Sequence, residues 1–394
     1  MREGWELKKI GECFSYIKNG ANIKQTKGAR GYPITRIETL SGGVFNRDRL
    51  GYADVVNLEQ YKDYILESGD LLVSHINSKT YIGRTVVYEG MQEENIIHGM
   101  NLLRLKHNTS LINSAFLCYY TQSVSFKLDI MRIRKDAVNQ SSFAISDFKK
   151  IRIPVPILAT QLSIVSELDK LNELIRIKKE QLKDYDELAQ SIFYEMFGDP
   201  VKNEKGWEVK KLKDISRKIG DGLHGTPEYS ELDTGWYFIN GNNLENGCIS
   251  IKSTTKKVTD SVRKKYYVEM DDFTLLVSIN GTLGKSAFYN GENVILGKSA
   301  CYIKLNKDVN KLFIYEIIRG EYFKRYAESV CTGTTIRNVS LKAMREFPII
   351  YPPLSLQHSF AQKIEQIEQQ KAAIQKTITD LETLLAARMQ YWFD

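Results

Sequence analysis

The sequence predicts an α+β protein with two homologous mixed α/β domains, separated and followed by long helices that pack as a coiled coil. The first observation is an internal repeat, in which GWELKKI at residues 4–10 returns as GWEVKKL at residues 206–212. An offset of about 200 residues is far longer than a solenoid repeat, so each copy should be a complete folding unit. The second observation is a heptad pattern of apolar residues after each copy, which is typical of coiled-coil helices.

The repeat continues to the end of each copy and sets the predicted domain boundaries. LLVS occurs at residues 71–74 and again at 275–278, and Gln161 is matched by Gln357. We therefore predict four segments, which are a first domain, a helical spacer, a second domain and a second helical spacer, at 1–155, 156–199, 200–353 and 354–394.

Inside each copy, strand and helix patterns occur without a regular strand-helix-strand order. Short runs of mainly apolar residues predict strands at 70–74, 85–88 and 102–105. Apolar residues at helical spacing predict helices at 114–128 and 312–327. Because no such alternation appears, we expect a mostly antiparallel or strongly bent sheet.

Each helical spacer carries apolar residues at alternating steps of three and four, which is the seam of a coiled coil. In the first spacer, Lys178 interrupts a seam of Ile164, Leu168, Leu171, Ile175, Leu182, Tyr185, Ala189, Ile192 and Met196. In the second spacer, Lys371 interrupts a seam of Phe360, Ile364, Ile367, Ile374, Ile378, Leu381 and Leu385. Prolines precede both seams, and Gly198 with Pro200 ends the first helix.

Charge is distributed unevenly along the 394 residues, whose formal net charge is +7. The excess of Lys and Arg lies in 1–150 and 200–353, whereas 157–199 and 354–394 contain more acidic than basic residues. Basic domains separated by acidic spacers favour contact with a polyanion through the domains.

The remaining composition predicts a cytoplasmic protein. The five cysteines are dispersed and lack Cys-x-x-Cys spacing, so we expect reduced thiols and no zinc site. The five histidines also lack metal-ligand spacing. No apolar run approaches the ~18 residues of a membrane helix, and the first residues are charged where a signal peptide would be apolar.

Three motifs in the second copy carry a resemblance to a known family. DGLHGTP at 221–227 is similar to that family's DG-x-H-x-TP turn, and NGTLGK at 280–285 is similar to its NG-x-x-GK loop. The third motif, GTTIRNVS at 333–340, leads to PPL at 352–354. With the duplication and the paired heptad helices, the whole chain resembles the specificity subunit of type I restriction-modification systems. The first copy has NGANIK and NSKTYIGR in place of the turn and the loop, so the two domains should read different bases.

The resemblance implies a non-catalytic reader of DNA. Each domain would be a target recognition domain for one half of a bipartite, asymmetric target, and the helices would form an antiparallel coiled coil with pseudo-twofold symmetry. The implied partners are double-stranded DNA, two methyltransferase subunits and nuclease/translocase subunits. S-adenosylmethionine, ATP and Mg would belong to those subunits, so we expect no cofactor in this chain. About 35 helical residues span roughly 50 Å, which is long enough for the helices to set the unread spacer of the target.

The candidate DNA-binding residues lie in loops rich in Arg, Lys, Asn, Gln and Thr. Arg can pair with guanine and Asn or Gln with adenine, while Lys more often contacts phosphates. The candidates of the first domain are Lys24, Lys27, Arg30, Lys79, Thr80, Arg84, Arg132, Arg134, Asn139 and Gln140. Those of the second domain are His224, Thr226, Asn280, Thr282, Lys285, Lys298, Thr334, Arg337 and Asn338. No catalytic or metal-binding residue is predicted.

Two alternatives stay open from the sequence. One is a coiled-coil scaffold whose basic domains bind DNA without sequence preference, and the other is an active methyltransferase or nuclease with unrecognised motifs. Two strings resemble catalytic motifs but fail to match them, which argues against the second alternative. Residues 291–299 have the wrong spacing for a phosphate-binding loop, and Tyr351 stands where an amino-methyltransferase needs Asn or Asp before Pro-Pro.

Overall fold

The computed structural model describes residues 2–26, 31–107, 110–138, 140–332 and 337–394. The chain divides into two compact units, of which the first is Met1–Lys179 with Lys376–Asp394 and the second is Glu180–Gln375. Each unit contains one globular domain and parts of both long helices, which span Leu158–Phe197 and Leu354–Phe393. None of the helices in the described ranges combines the length and the apolar composition that a membrane crossing requires.

The core of each domain is a four-stranded antiparallel sheet with the same strand order. In the first unit the order is Phe14–Asn19, Leu102–His107, Leu71–Ser74 and Thr85–Val87. In the second unit it is Ser216–Gly220, Ala300–Leu305, Thr274–Ser278 and Ser286–Phe288. Leu71, Leu72 and Val73 are all fully buried, which explains the continuous apolar run of that strand. The predicted strands and the duplicated fold are confirmed.

Smaller sheets complete the two domains. In the first unit they are formed by Gln25–Thr26, Tyr32–Ile34 and Gly51–Ala53, and by Ile76–Asn77, Lys135–Asp136 and Ser141–Ser142. In the second unit they are formed by Tyr229–Ser230, Tyr237–Ile239, Lys257–Val258 and Val294–Leu296, and by Leu244–Glu245 and Cys248–Ile249. Tyr237–Ile239 pairs in parallel with Val294–Leu296, whereas the other strands named here pair antiparallel.

The repeated GWELKKI and GWEVKKL segments close the two domains. Glu6–Lys9 pairs antiparallel with Arg152–Val155, and Glu208–Lys211 pairs antiparallel with Pro348–Tyr351. The first and last strands of each domain therefore form one two-stranded ribbon, and the long helix begins shortly after the last strand.

The two predicted domain helices are each broken in two, which corrects the prediction of continuous helices. The shorter α-helices are Ile10–Cys13, Ser114–Tyr120, Val124–Ile133, Ile145–Phe148, Asp260–Tyr266, Lys311–Arg319, Glu321–Val330 and Leu341–Glu346. The break in the first domain follows Tyr120, because the Ser123 hydroxyl accepts the Phe126 N–H at 3.1 Å and starts a new helix. The break in the second domain falls at Gly320, whose extended backbone ends one helix and begins the next.

Within the first unit, the long-helix segments 158–179 and 376–393 run antiparallel. Arg388 pairs with Glu167, and Lys179 lies 2.7 Å from Glu382, so later residues of one segment meet earlier residues of the other. Ile164 is fully buried among the domain core, as the predicted seam requires.

Within the second unit, the seam differs from the prediction at its aromatic end. Phe193 and Phe197 are buried, whereas the predicted Ile192 and Met196 are partly exposed. The reason is an aromatic cluster, in which the ring of Phe197 lies 5.2 Å from that of Phe360 on the other long helix. The rings of Phe193 and Phe197, four residues apart, therefore fill the buried positions that were predicted for Ile192 and Met196.

Lys371, which interrupts the second seam, is stabilised by charge. Its ammonium group lies 2.9 Å from Asp186 and 2.8 Å from Glu368, all within the second unit. Burial makes the largest single contribution and lowers the pKa of Lys371. The hydrogen bonds and charges of Glu368 and Asp186 together outweigh it, so the pKa is raised. The interruption is therefore an ion pair within the helical packing.

Two buried glutamines attach the long helices to their domains. The Gln161 amide donates to the Pro156 carbonyl at 2.8 Å, and its oxygen accepts the Asn113 N–H at 2.8 Å. Gln357 makes the equivalent bonds with Pro352 at 2.9 Å and with Asn310 at 3.0 Å. Both side chains are fully buried, so the matched glutamines have a structural role at the start of each helix.

Candidate nucleic-acid interface

In the second unit, loops that carry candidate residues lie side by side at one end of the central sheet. Ser216–Gly220 and Thr274–Ser278 both run antiparallel to Ala300–Leu305, so the loops after the first two lie beside the loop before the third. A backbone hydrogen bond joins two of these loops directly, in which the Lys298 N–H donates to the Leu223 carbonyl at 3.0 Å.

A fourth segment completes this arrangement. The Gly281 N–H donates to the Arg337 carbonyl at 2.9 Å, and Asn280 forms a β-bridge with Asn338. We call residues 221–226, 279–285, 297–299 and 337–339 the second loop surface. It contains all the described candidates of the second domain: His224, Thr226, Asn280, Thr282, Lys285, Lys298, Arg337 and Asn338. The remaining candidate, Thr334, lies outside the described residues.

Two cationic or ionisable candidates on this surface are exposed and lightly paired. The His224 ring contacts the Asp221 carboxylate at 2.8 Å with its side chain 70% exposed, and Arg337 lies 2.9 Å from Glu328 with its side chain 59% exposed. Pairs at such exposure contribute about 0–1 kcal/mol, so an incoming phosphate or base can replace either partner.

One glycine in each domain allows the turn to approach the neighbouring loop. A Cβ at Gly222 would lie 1.9 Å from the Leu296 carbonyl oxygen, and one at Gly20 would lie 2.0 Å from that of His98. Both distances are shorter than any tolerable contact, so only glycine fits. The repeated Asn-Gly and Asp-Gly turns are therefore required by the close backbone packing that positions the loops.

The first unit brings equivalent loops together. The Ala21 N–H donates to the His98 carbonyl at 2.8 Å, and Asn77 pairs with Ser141 across a short ladder. We call residues 21–24, 75–80, 98–101 and 134–142, apart from 139, the first loop surface. It contains the candidates Lys24, Lys79, Thr80, Arg134 and Gln140. Lys27, Arg30 and Asn139 lie outside the described residues.

An acidic residue that the sequence analysis did not select lies among the cations of the first loop surface. The Asp136 carboxylate is 3.1 Å from the Lys79 ammonium and 2.8 Å from the Arg134 guanidinium, and it accepts the Ser141 hydroxyl at 2.7 Å. The hydrogen bonds from Ser141 and Lys79 lower the pKa of Asp136, so the carboxylate is charged. The sequence places Asp136 two residues after Arg134, but it does not reveal the contact with Lys79, which is distant along the chain.

Arg84 and Arg132 occupy other positions in the first domain. Arg84 stacks on Tyr81 at 4.4 Å and donates to the Leu40 carbonyl at 3.2 Å. It lines an open cleft of about 1240 Å³, together with Lys79, Thr80 and Arg134 from the candidates and Arg47 and Lys127, which the sequence analysis did not select. Arg132 lies on the helix Val124–Ile133 and pairs with Asp129 at 2.8 Å.

Comparison with known proteins places this geometry in context. A family model for the type I restriction modification DNA specificity domain matches residues 2–184 and 204–383, which correspond to the two copies of the repeat. The matched segments include both loop surfaces.

Relatives of the whole chain carry the same description. A protein of Methanocaldococcus jannaschii named as the MjaX specificity subunit of a type I restriction enzyme is 28% identical over 381 residues, covering 93% of this chain and 87% of that protein. The StySPI type I restriction enzyme specificity subunit of Salmonella potsdam is 22% identical over 414 residues, covering 96% and 85%.

Solved structures show the same fold. A type I restriction-modification S subunit from M. genitalium matches with a TM-score of 0.54 at 15% identity, covering 99% of this chain and 96% of that chain. A chain from a study of complex assembly and conformational transition of the type I R-M system matches with a TM-score of 0.62 at 16% identity, covering 100% and 98%. At these identities the likeness establishes the fold alone.

Proposed function

Because the chain belongs to the type I restriction-modification DNA specificity family, we propose that it is a specificity subunit that reads a bipartite, asymmetric DNA target. The observation that carries the proposal is the pair of loop surfaces, which occupy equivalent ends of two equivalent sheets. Their side chains differ, with Lys79 and Gln140 on the first surface and His224 and Arg337 on the second. Equivalent positions with different donors and acceptors suit two different half-sites.

The candidate side chains divide by chemistry into two roles in this proposal. Lys24, Lys79, Lys285 and Lys298 would contact phosphates and fix the register of each domain on the duplex. The amides of Gln140, Asn280 and Asn338 and the guanidinium of Arg337 would contact base edges, where bidentate hydrogen bonds distinguish one base from another.

Catalysis in this proposal belongs to partner subunits. Burial raises the pKa of the Cys13 and Cys118 thiols to about 11 and also raises that of Cys301, so these thiols are protonated and poor nucleophiles. In the described ranges, no group of three or more His, Cys, Asp or Glu side chains is placed to hold a metal ion. S-adenosylmethionine, ATP and Mg would be bound by methyltransferase and nuclease/translocase subunits.

The duplication also supports two methyltransferase subunits per chain, since each equivalent domain would offer an equivalent docking position. The long helices would set the unread spacer of the target. Each has 40 residues, and a helix of that length extends about 60 Å.

A domain exchange tests the proposal. Replacing residues 1–155 with the corresponding segment of a relative should change one half of the sequence methylated in a host that also expresses the methyltransferase partner. The other half and the spacer should stay the same. The reciprocal control replaces residues 200–353 and should change only the opposite half. A change in both halves from one exchange would contradict modular reading, and methylation without a defined target would favour the non-specific scaffold.

A further inference from the structure

Asp136 contacts two cations of the first loop surface, Lys79 with a side chain 64% exposed and Arg134 with a side chain 18% exposed. Oδ1 lies 2.8 Å from the Arg134 guanidinium, and Oδ2 lies 3.1 Å from the Lys79 ammonium and also accepts a hydrogen bond from Arg134 at 3.3 Å. Oδ1 also accepts the Ser141 hydroxyl at 2.7 Å. One negative charge therefore restrains two side chains that belong to different segments of the chain.

The backbone fixes the position of this carboxylate. Asp136 pairs with Ser141, and Ser141 pairs in turn with Asn77 on the strand that leads to Lys79. The carboxylate is thus held in the loop surface by a three-stranded ladder, and its side chain is 37% exposed. A duplex that reached Lys79 would also meet Asp136.

We propose that Asp136 is a specificity-determining residue of the first domain, which holds Lys79 and Arg134 away from phosphates that are out of register with the target. The inference rests on the proposed DNA-reading function. A phosphate that binds either cation must displace the Asp136 carboxylate, which is also negatively charged, and this displacement costs free energy. Only a duplex in the correct register makes the further contacts that offset this cost. Affinity for non-target DNA is lowered more than affinity for the target.

The corresponding ladder of the second domain has Thr332 at the position of Asp136. There Asn338 forms bridges with both Asn280 and Thr332, and the Arg337 guanidinium lies 2.9 Å from Glu328 on the preceding helix. The restraint by Asp136 therefore belongs to the first half-site, and its loss should leave reading of the second half unchanged.

The test compares Asp136→Asn with Asp147→Asn in the complex of the full chain with its methyltransferase partner. Asp147 is a matched control, because its side chain is also 37% exposed and it lies 3.1 Å from Lys150, a lysine outside the candidate set. Binding is measured with three duplexes. One carries the target sequence identified by methylation mapping, one is scrambled in the first half-site and one is scrambled in the second.

Asp136→Asn should raise affinity for the duplex scrambled in the first half roughly five-fold at about 0.15 M salt, since freeing one cation for a phosphate steepens the salt dependence by about one unit. Affinity for the target should rise less, and Asp136→Glu should restore the wild-type ratio. The inference is overturned if Asp136→Asn matches Asp147→Asn, or if discrimination at the second half falls equally. Either result leaves the proposed function standing, because that function fails only if the wild-type complex shows no defined target.

Discussion

Arg104 is a charged side chain that the first domain buries completely. Its guanidinium lies 2.6 Å from the Asp70 carboxylate, which is 4% exposed, and it donates to the Asp63 carbonyl at 3.1 Å. Burial raises the pKa of Asp70, and the positive charge of Arg104 opposes that rise. Arg104 lies opposite Leu72 on an inner strand of the first sheet, and Asp70 directly precedes the strand of Leu72. Glu67 supports the pair, because its N–H donates to Asp70 at 2.7 Å and its carboxylate lies 3.5 Å from Arg104.

Arg104→Ala should destabilise the chain by about 3–5 kcal/mol, because it leaves a buried carboxylate without its partner. Burial already raises the pKa of Asp70 in the intact chain, and loss of the opposing Arg104 charge should raise it further. The deficit should therefore grow as pH rises above about 4, the ordinary pKa of Asp, toward this raised pKa. Chemical unfolding at several pH values measures both effects.

Arg132→Ala is the control for this substitution. Arg132 also pairs with an aspartate, at 2.8 Å, but its side chain is 74% exposed, so its loss should cost under about 1 kcal/mol. Equal unfolding free energies for the two variants would show that the buried pair contributes nothing beyond a surface pair.

At the scale of elements, the positions of the two loop surfaces depend on how closely the turns at Gly20 and Gly222 approach neighbouring backbone. The turn at Gly20 packs against the backbone at His98, and the turn at Gly222 packs against the backbone at Leu296. Sheet topology and backbone hydrogen bonds position these loops, and buried side chains such as Ala21 in the first domain and Ile279 and Val339 in the second anchor them in hydrophobic clusters. A small change at either glycine should therefore act on recognition as well as on stability.

Gly20→Ala should cost about 1–3 kcal/mol and displace the first loop surface, because the added Cβ would lie 2.0 Å from the His98 carbonyl oxygen. Methylation should weaken through poorer reading of the first half-site. Gly90→Ala is the matched control in the same domain, since its Cβ would meet Ser68 at an ordinary 3.5 Å. If both variants methylate the target at the wild-type rate, the close turn has no part in recognition.

At the scale of the whole molecule, the two long helices belong to both units. Residues 158–179 of the first helix lie in the first unit and 180–197 in the second, and the second helix is divided at Gln375. Each part packs on the core of its own unit, as Phe393 does in the first and Phe360 in the second. A change in the length of one helix between its two parts must therefore alter either the packing of the helices or their attachment to the cores of the units.

Inserting four helical residues between Lys178 and Lys179 should lengthen the unread spacer of the target by one or two base pairs, or abolish assembly. Four residues add about 6 Å and turn the following chain roughly 40° beyond one turn, and base pairs are about 3.4 Å apart. Partial unwinding at such a stutter absorbs some of the displacement. Methylation mapping measures the spacer.

A four-residue insertion after Gln92, in an exposed turn of the first domain, is the control and should leave the spacer unchanged. A helix-insertion variant that assembles and still methylates the original target with the original spacer would refute the idea that the helices set the distance.

The sequence by itself determined the duplication, the sheet strands, the long helices and the family. These properties are written in local periodicity and in repeated strings, such as the apolar run at 71–74 and its copy at 275–278. Which loop side chains contact bases stays a prediction, because donors and acceptors in a sequence do not specify their partners.

Only the tertiary structure decided which distant residues meet. Strand order and a β-bridge bring the loops at 221–226, 279–285, 297–299 and 337–339 to one end of a sheet. In the first unit, a separate ladder of Asp136, Ser141 and Asn77 places Asp136 beside Lys79. The helix break at Gly320 and the burial of Phe197 in place of Met196 were likewise invisible to periodicity. The physical reason is that these contacts depend on long-range register and packing, which short-range sequence patterns do not contain.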